Sequence, residues 1–183
     1  MALELNILVG TQTGVAQLVA QEIELRLDGE DFHIRTLLMD DIDAGVFTNG
    51  GLFLICTSTY GQGDVPDGAK PFYEELREKR PDLSGVRYGL IGLGDMTYAE
   101  TFCNGGKRFD RILTELSAKR IGDVMLHDAS AGNLPEDEAV ADRRDVQRPG
   151  AHRAQDRQQA QRDPSNAQEH QRRLHPRDLR KAE

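Results

Sequence analysis

The sequence predicts an α/β protein with a doubly wound, five-stranded parallel sheet in the order 2-1-3-4-5. Two observations carry this prediction. Short apolar runs alternate with helical periodicities from Leu3 to Leu126, and three of the runs end in loops of glycine, hydroxyl and acidic residues. Strands that alternate with helices are joined by right-handed crossovers, which makes the sheet parallel. Ligands in such sheets sit beyond the carboxyl ends of the strands, where the strand order reverses.

The elements follow in order. Leu3 to Val9 is the first strand, with Ile7, Leu8 and Val9 as its buried run. Val15, Val19 and Ile23, flanked by Leu18, recur at helical spacing and predict a helix from Val15 to Leu27, stopped by Asp28-Gly29. Phe32, Ile34 and Thr36 alternate with His33, Arg35 and Leu37, as in a half-buried edge strand. Gly51 to Ser58 is apolar almost throughout and is therefore expected to be central. Pro71 suits the first turn of a helix that carries Phe72, Tyr73 and Leu76 and ends at Lys79-Arg80-Pro81-Asp82. Val86 to Leu93 is a further buried strand. After a loop from Gly94 to Gly106, Phe109, Ile112, Leu113 and Leu116 share one helical face, and Ile121 to Leu126 closes the sheet as its fifth strand.

The 183 residues fit one domain of ordinary size, but the charge is unevenly spread. Residues 1–138 hold 24 acidic and 12 basic side chains, whereas residues 139–183 hold 7 and 11. An acidic body argues against nucleic acid as a ligand, because phosphate backbones are bound by Lys and Arg. It suits a protein partner with a basic docking face. No apolar run approaches the roughly 18 residues that span a membrane, and Met1 to Val9 lacks a secretory pattern, so a cytoplasmic protein is expected. Cys56 and Cys103 form neither a disulfide framework nor a metal-ligand pattern. Residues 139–183 contain no aromatic and only Val140, Val146, Leu174 and Leu179 as large aliphatics. Such a segment buries too little apolar surface to offset its ordering entropy, which predicts a basic, disordered tail beside a domain of residues 1–138.

The turn after the first strand is suited to an anion. A helix starting at Gly14 or Val15 points unpartnered N–H groups and the positive end of its dipole at the strand's exit. Thr11 and Thr13 add hydroxyls, and Gly14 allows close approach or a positive φ. The loop has no lysine, so it is not a nucleotide triphosphatase loop, and the three glycines of a dinucleotide fingerprint are missing. A monophosphate fits better. Read alone, the two threonines serve equally well as helix caps. Tyr60 and Tyr98 each stand among glycines at a strand end, either as walls of a slot for a flat ring or folded over their own loops.

The segments T-Q-T-G-V-A (residues 11–16), T-S-T-Y-G-Q-G-D (57–64) and G-L-G-D-M-T-Y-A-E-T-F-C (92–103) agree in order and spacing with the FMN loops of the flavodoxin family, which this chain resembles. The resemblance covers Leu5 to Asp137, short-chain flavodoxins being nearest in size. The stretch H-D-A-S-A-G-N-L-P-E-D is similar to the segment before the last helix in the FMN modules of sulfite reductase and cytochrome reductase relatives. The resemblance implies a phosphate held by Thr11, Gln12, Thr13, Gly14, Val15 and Ala16, with Thr57 and Ser58 near the ribityl chain. It implies that Tyr60 and Tyr98 flank the isoalloxazine, that Asp95 and the backbone of Cys103 approach its pyrimidine edge, and that Thr59, Gly94 and Phe102 complete the loops. Gly61 would allow the following peptide to turn its carbonyl toward flavin N5. Tyr60 stands where many family members have tryptophan, a departure that matches the tyrosine usual in the reductase modules.

One departure is clear: after N-L-P-E-D the family's amphipathic last helix is missing or altered, which would leave apolar surface on the first and third strands uncovered. The function implied is that of a non-catalytic, metal-free FMN protein carrying single electrons between a flavin reductase and an acceptor enzyme. The alternatives are an FMN-dependent NAD(P)H quinone or nitro reductase on the same fold, and a flavin-free phospho-ligand binding module.

Overall fold

Alternation of apolar runs and amphipathic periods produces the elements of the computed structural model, which describes residues 2–131. In chain order they are β1 (Leu3–Gly10), α1 (Val15–Leu27), β2 (Phe32–Leu38), β3 (Gly51–Ser58), α2 (Lys70–Lys79), β4 (Val86–Gly94), α3 (Asn104–Glu115), β5 (Lys119–Arg120) and β6 (Met125–Asp128). Every strand pair is parallel, and the order β2-β1-β3-β4-β5 is the one expected. The register sets Val9 beside Cys56, and Cys56 beside Ile91. The expected tail, residues 139–183, and the altered last helix lie outside the described residues.

Two boundaries differ from the sequence reading. The fifth strand, expected as one run from Ile121 to Leu126, is two short pieces that both pair with β4: β5 beside Arg87 and Tyr88, and β6 beside Ile91 to Gly94. Ile121 still donates its N–H to the Tyr88 carbonyl at 2.7 Å. Gly122 then takes φ 73 and turns the chain out of the ladder. Helix α3 begins at Asn104, inside the expected loop, because Gly105 and Gly106 are contact residues: a Cβ on Gly106 would lie 2.9 Å from the Gly92 Cα.

Helices pack on both faces of the sheet. Leu8, Phe53, Ile55 and Tyr88 pack with Phe72, Leu76, Phe109 and Leu113 of α2 and α3. Phe47 and Phe53 meet edge-on at 4.8 Å, and Tyr73 meets Phe109 edge-on at 5.3 Å. On the other face, Leu5, Ile7 and Val9 lie against Val19, Ala20 and Ile23 of α1, while Leu52, Leu54 and Met125 remain half-buried. Each fully buried large side chain contributes about 1.5–3 kcal/mol, and the period-2 alternation of Ile7 and Leu8 fixes which face each serves. This framework brings the carboxyl ends of β1, β3 and β4 side by side.

Candidate functional site

The turn from β1 into α1 is shaped by its own hydrogen bonds. Thr11 Oγ1 accepts the Gly14 amide at 2.9 Å, and Gly14 takes φ 88 with open space where a Cβ would be. Among the described residues the amides of Val15, Ala16 and Gln17 meet no acceptor, so they converge with the helix dipole on the strand's exit. Thr13 and Gln12 are exposed. Gln12 Oε1 accepts the Asp67 amide at 3.0 Å and ties this turn to the segment before α2.

After β3 the chain makes a tight hairpin. Tyr60 and Asp64 exchange two backbone bonds of 2.9 Å, and Gly61 and Gly63 take φ 55 and 85. Gly61 has nothing within 4 Å of a Cβ position, whereas a Cβ on Gly63 would lie 3.0 Å from Asn104 and 3.1 Å from Thr101. The loop after β4 forms a short 3-10 turn over Met96–Tyr98, capped by Asp95 Oδ1, which accepts the Thr97 amide at 2.8 Å. Asp128 at the end of β6 holds the same turn, accepting the Met96 amide at 2.8 Å. These contacts, led by that amide and the Ser130 hydroxyl, hold the Asp128 carboxyl below the usual carboxylate range.

Between these loops runs a groove of about 320 Å³, within the range of small-molecule sites. Of the residues singled out from sequence, Thr13, Val15, Ser58, Thr59, Gly61, Gly94, Asp95 and Tyr98 line it. Tyr98 is 70% exposed along one side. Tyr60, 45% exposed, stands on the hairpin outside the lining. The remaining predicted residues support these loops. Thr57 is buried beneath, the Ala16 carbonyl accepts the Cys56 thiol at 3.4 Å, and Phe102 lies under the Lys107 ammonium at 5.6 Å.

Cys103 caps α3 with φ 52 and is fully buried, its thiol donating to the Gly92 carbonyl at 3.3 Å. Burial pushes that thiol up to about 12. A thiol so buried is a poor nucleophile. Among the described residues no cluster of His, Cys, Asp and Glu could hold a metal ion.

Sequence reasoning missed Leu93, Thr101 and Ala129, which also line the groove, and Asp128 behind it. Leu93 was accessible from the rule that ligands sit at strand ends. Ala129 and Asp128 lie in the H-D-A-S stretch.

Comparison with known proteins agrees with this geometry. The flavodoxin family model matches residues 7–141. Flavodoxin YqcA of Escherichia coli K12 is 40% identical over 137 residues, covering 74% of this chain and 91% of that protein. The sulfite reductase [NADPH] flavoprotein alpha-component of Bacillus subtilis is 39% identical over 119 residues, 64% of this chain but 20% of its own length. Among solved structures, a cysteine-to-alanine mutant of flavodoxin from Pseudomonas aeruginosa superposes with a TM-score of 0.67 at 30% identity, covering 75% of this chain and 92% of that one. Three loops at adjacent parallel strand ends, a helix N-terminus free to take a phosphate and these relatives place the chain in the flavodoxin family, the FMN-binding proteins of electron transfer.

Proposed function

We propose that this chain acts as an electron carrier rather than as a turnover enzyme, with FMN in the groove between the β1, β3 and β4 loops. The observation that carries the reading is the conjunction of that groove with the unpartnered amides of Val15, Ala16 and Gln17 and the exposed Thr13 hydroxyl. These donors fit a phosphate without any cation, and the open space at Gly14 admits its oxygens. FMN, when bound, supplies the one-electron chemistry.

The protein's own residues hold and shield it. Thr11 shapes the phosphate turn through its bond to Gly14, and Gln12 braces it against Asp67. Ser58, Thr59, Gly94 and Leu93 form the floor, and Tyr98 supplies one wall. Tyr60, half-exposed on the hairpin beside the groove, is the residue that would cover the other face of the ring. The φ of 55 and free space at Gly61 let the next peptide present either its N–H or its carbonyl to the ring at low cost. Asp95 lines the groove and Asp64, Asp67 and Glu100 stand on its loops within an acidic body, which suits a reductase and an acceptor with basic docking faces in the cytoplasm. Among the described residues no helix is long and apolar enough to cross a membrane.

Titration with FMN tests the reading. One equivalent should bind with quenching of flavin fluorescence, riboflavin should bind far more weakly, and the loaded protein should not oxidise NAD(P)H steadily by itself. Sustained NAD(P)H consumption would instead support the quinone or nitro reductase, and indifference to FMN the phospho-ligand module.

A further inference from the structure

We infer that Arg108 is a positioning residue of the flavin site, pinning the far side of the Tyr60–Asp64 hairpin so that its freedom is confined to Gly61 and Gln62. The inference rests on the FMN reading of that groove. Arg108 lies in the second turn of α3 and does not line the groove. Its Nε donates to the Gly63 carbonyl at 3.1 Å, and its Nη1 lies 3.6 Å from Asp64 Oδ1. Lys70 of α2 approaches the other oxygen of that carboxylate at 3.8 Å. The hairpin's last two residues are thus held from two helices.

The same end of α3 grips the rest of the loop. Gly105 donates its amide to Thr59 Oγ1 at 3.1 Å, and Gly63 packs against Thr101 and Asn104. The two glycines of the hairpin are therefore unequal: Gly61 faces open space, whereas Gly63 is fixed by contacts and by the guanidinium. A hairpin with two positive-φ glycines and no such anchor would have to be ordered when the ligand binds, at the expense of affinity. Arginine suits the task because its planar fork reaches a carbonyl and a carboxylate together, which a lysine ammonium does not. Arg108 and Asp64 are 43% and 44% exposed, so their ion pair adds little to global stability. The effect should fall on loop order.

The test uses the full chain with R108Q and R108K. R108Q should bind FMN about three- to tenfold more weakly, because the Arg108 bonds order the hairpin without touching the ligand. R108K should fall between R108Q and the wild type, and both variants should melt within a few degrees of it. In the FMN-free protein, amide exchange at Tyr60 and Asp64 should quicken in R108Q. Unchanged affinity together with unchanged exchange would overturn the inference. So would a large drop in melting temperature common to R108Q and R108K, which would mark Arg108 as merely structural. Failure of the wild type to bind FMN, with quickened exchange in R108Q, would overturn the flavin reading while upholding the anchor.

Discussion

Asp128, at the end of β6, holds Met96 in the loop after β4: its Oδ1 accepts the Met96 amide at 2.8 Å and the Ser130 amide at 3.0 Å. These bonds exist for the carboxylate and depress its pKa from the ordinary 3.8. A depressed carboxyl stabilises the fold above its unfolded pKa, and that contribution is lost as pH falls through the folded value. Between about pH 5 and 2 the wild type should therefore lose more melting temperature than D128N, which has no proton to take up. Thermal melts of the two proteins across that range check this, and parallel curves would show that the bonds do not stabilise the turn.

Thr13 offers the exposed hydroxyl at the phosphate turn. Thr13→Val should weaken FMN by about 1.5–3 kcal/mol, the size of a hydrogen bond to a charged group, while leaving riboflavin binding unaltered. Isothermal titration with both ligands checks this. An equal loss for both would mean that Thr13 acts on something other than the phosphate.

Gly105 has no room for a side chain, since a Cβ would lie 2.4 Å from the Ser58 carbonyl oxygen. Gly105→Ala should cost about 1–3 kcal/mol of stability by overpacking and should also weaken FMN, because α3 and the end of β3 move apart. Gly61→Ala meets no atom but keeps a positive φ, so its cost should be about 1–2 kcal/mol and confined to the hairpin. Denaturant unfolding of both variants separates steric from conformational cost.

Cys56 and Cys103 are buried, and burial pushes both thiols up to about 12. At neutral pH neither should react with a disulfide reagent in the native protein, and both should react in denaturant. Colorimetric thiol counting checks this, and rapid native labelling at Cys103 would show that the α3 cap opens readily.

The site was legible in the sequence where function demands small or polar residues at the ends of apolar runs, as in Thr11 to Gly14 and Tyr60 to Gly63. Asp128 was not, because its bond partner Met96 lies 32 residues away and only the sheet brings them together. Arg108 reads as a solvent-facing residue of an amphipathic helix until the hairpin is seen beside it. The start of α3 was hidden for a related reason: Gly105 and Gly106 are poor helix formers, and their value lies in close approach to β3 and β4. The fifth strand misled because Ile121 and Leu126 look continuous, while Gly122 between them takes a conformation that a strand excludes.

The interruption between β5 and β6 has a bearing on how the molecule behaves at high concentration. A long, flat outer strand invites pairing with a neighbouring molecule and so seeds aggregates. Here the border beyond β4 offers pieces of two and four residues divided by a turn. On the opposite border, β2 carries exposed His33 and Arg35. Among the described residues the border beyond β4 gives a second chain no uninterrupted template, while the continuous β2 border relies on its charged side chains to discourage pairing.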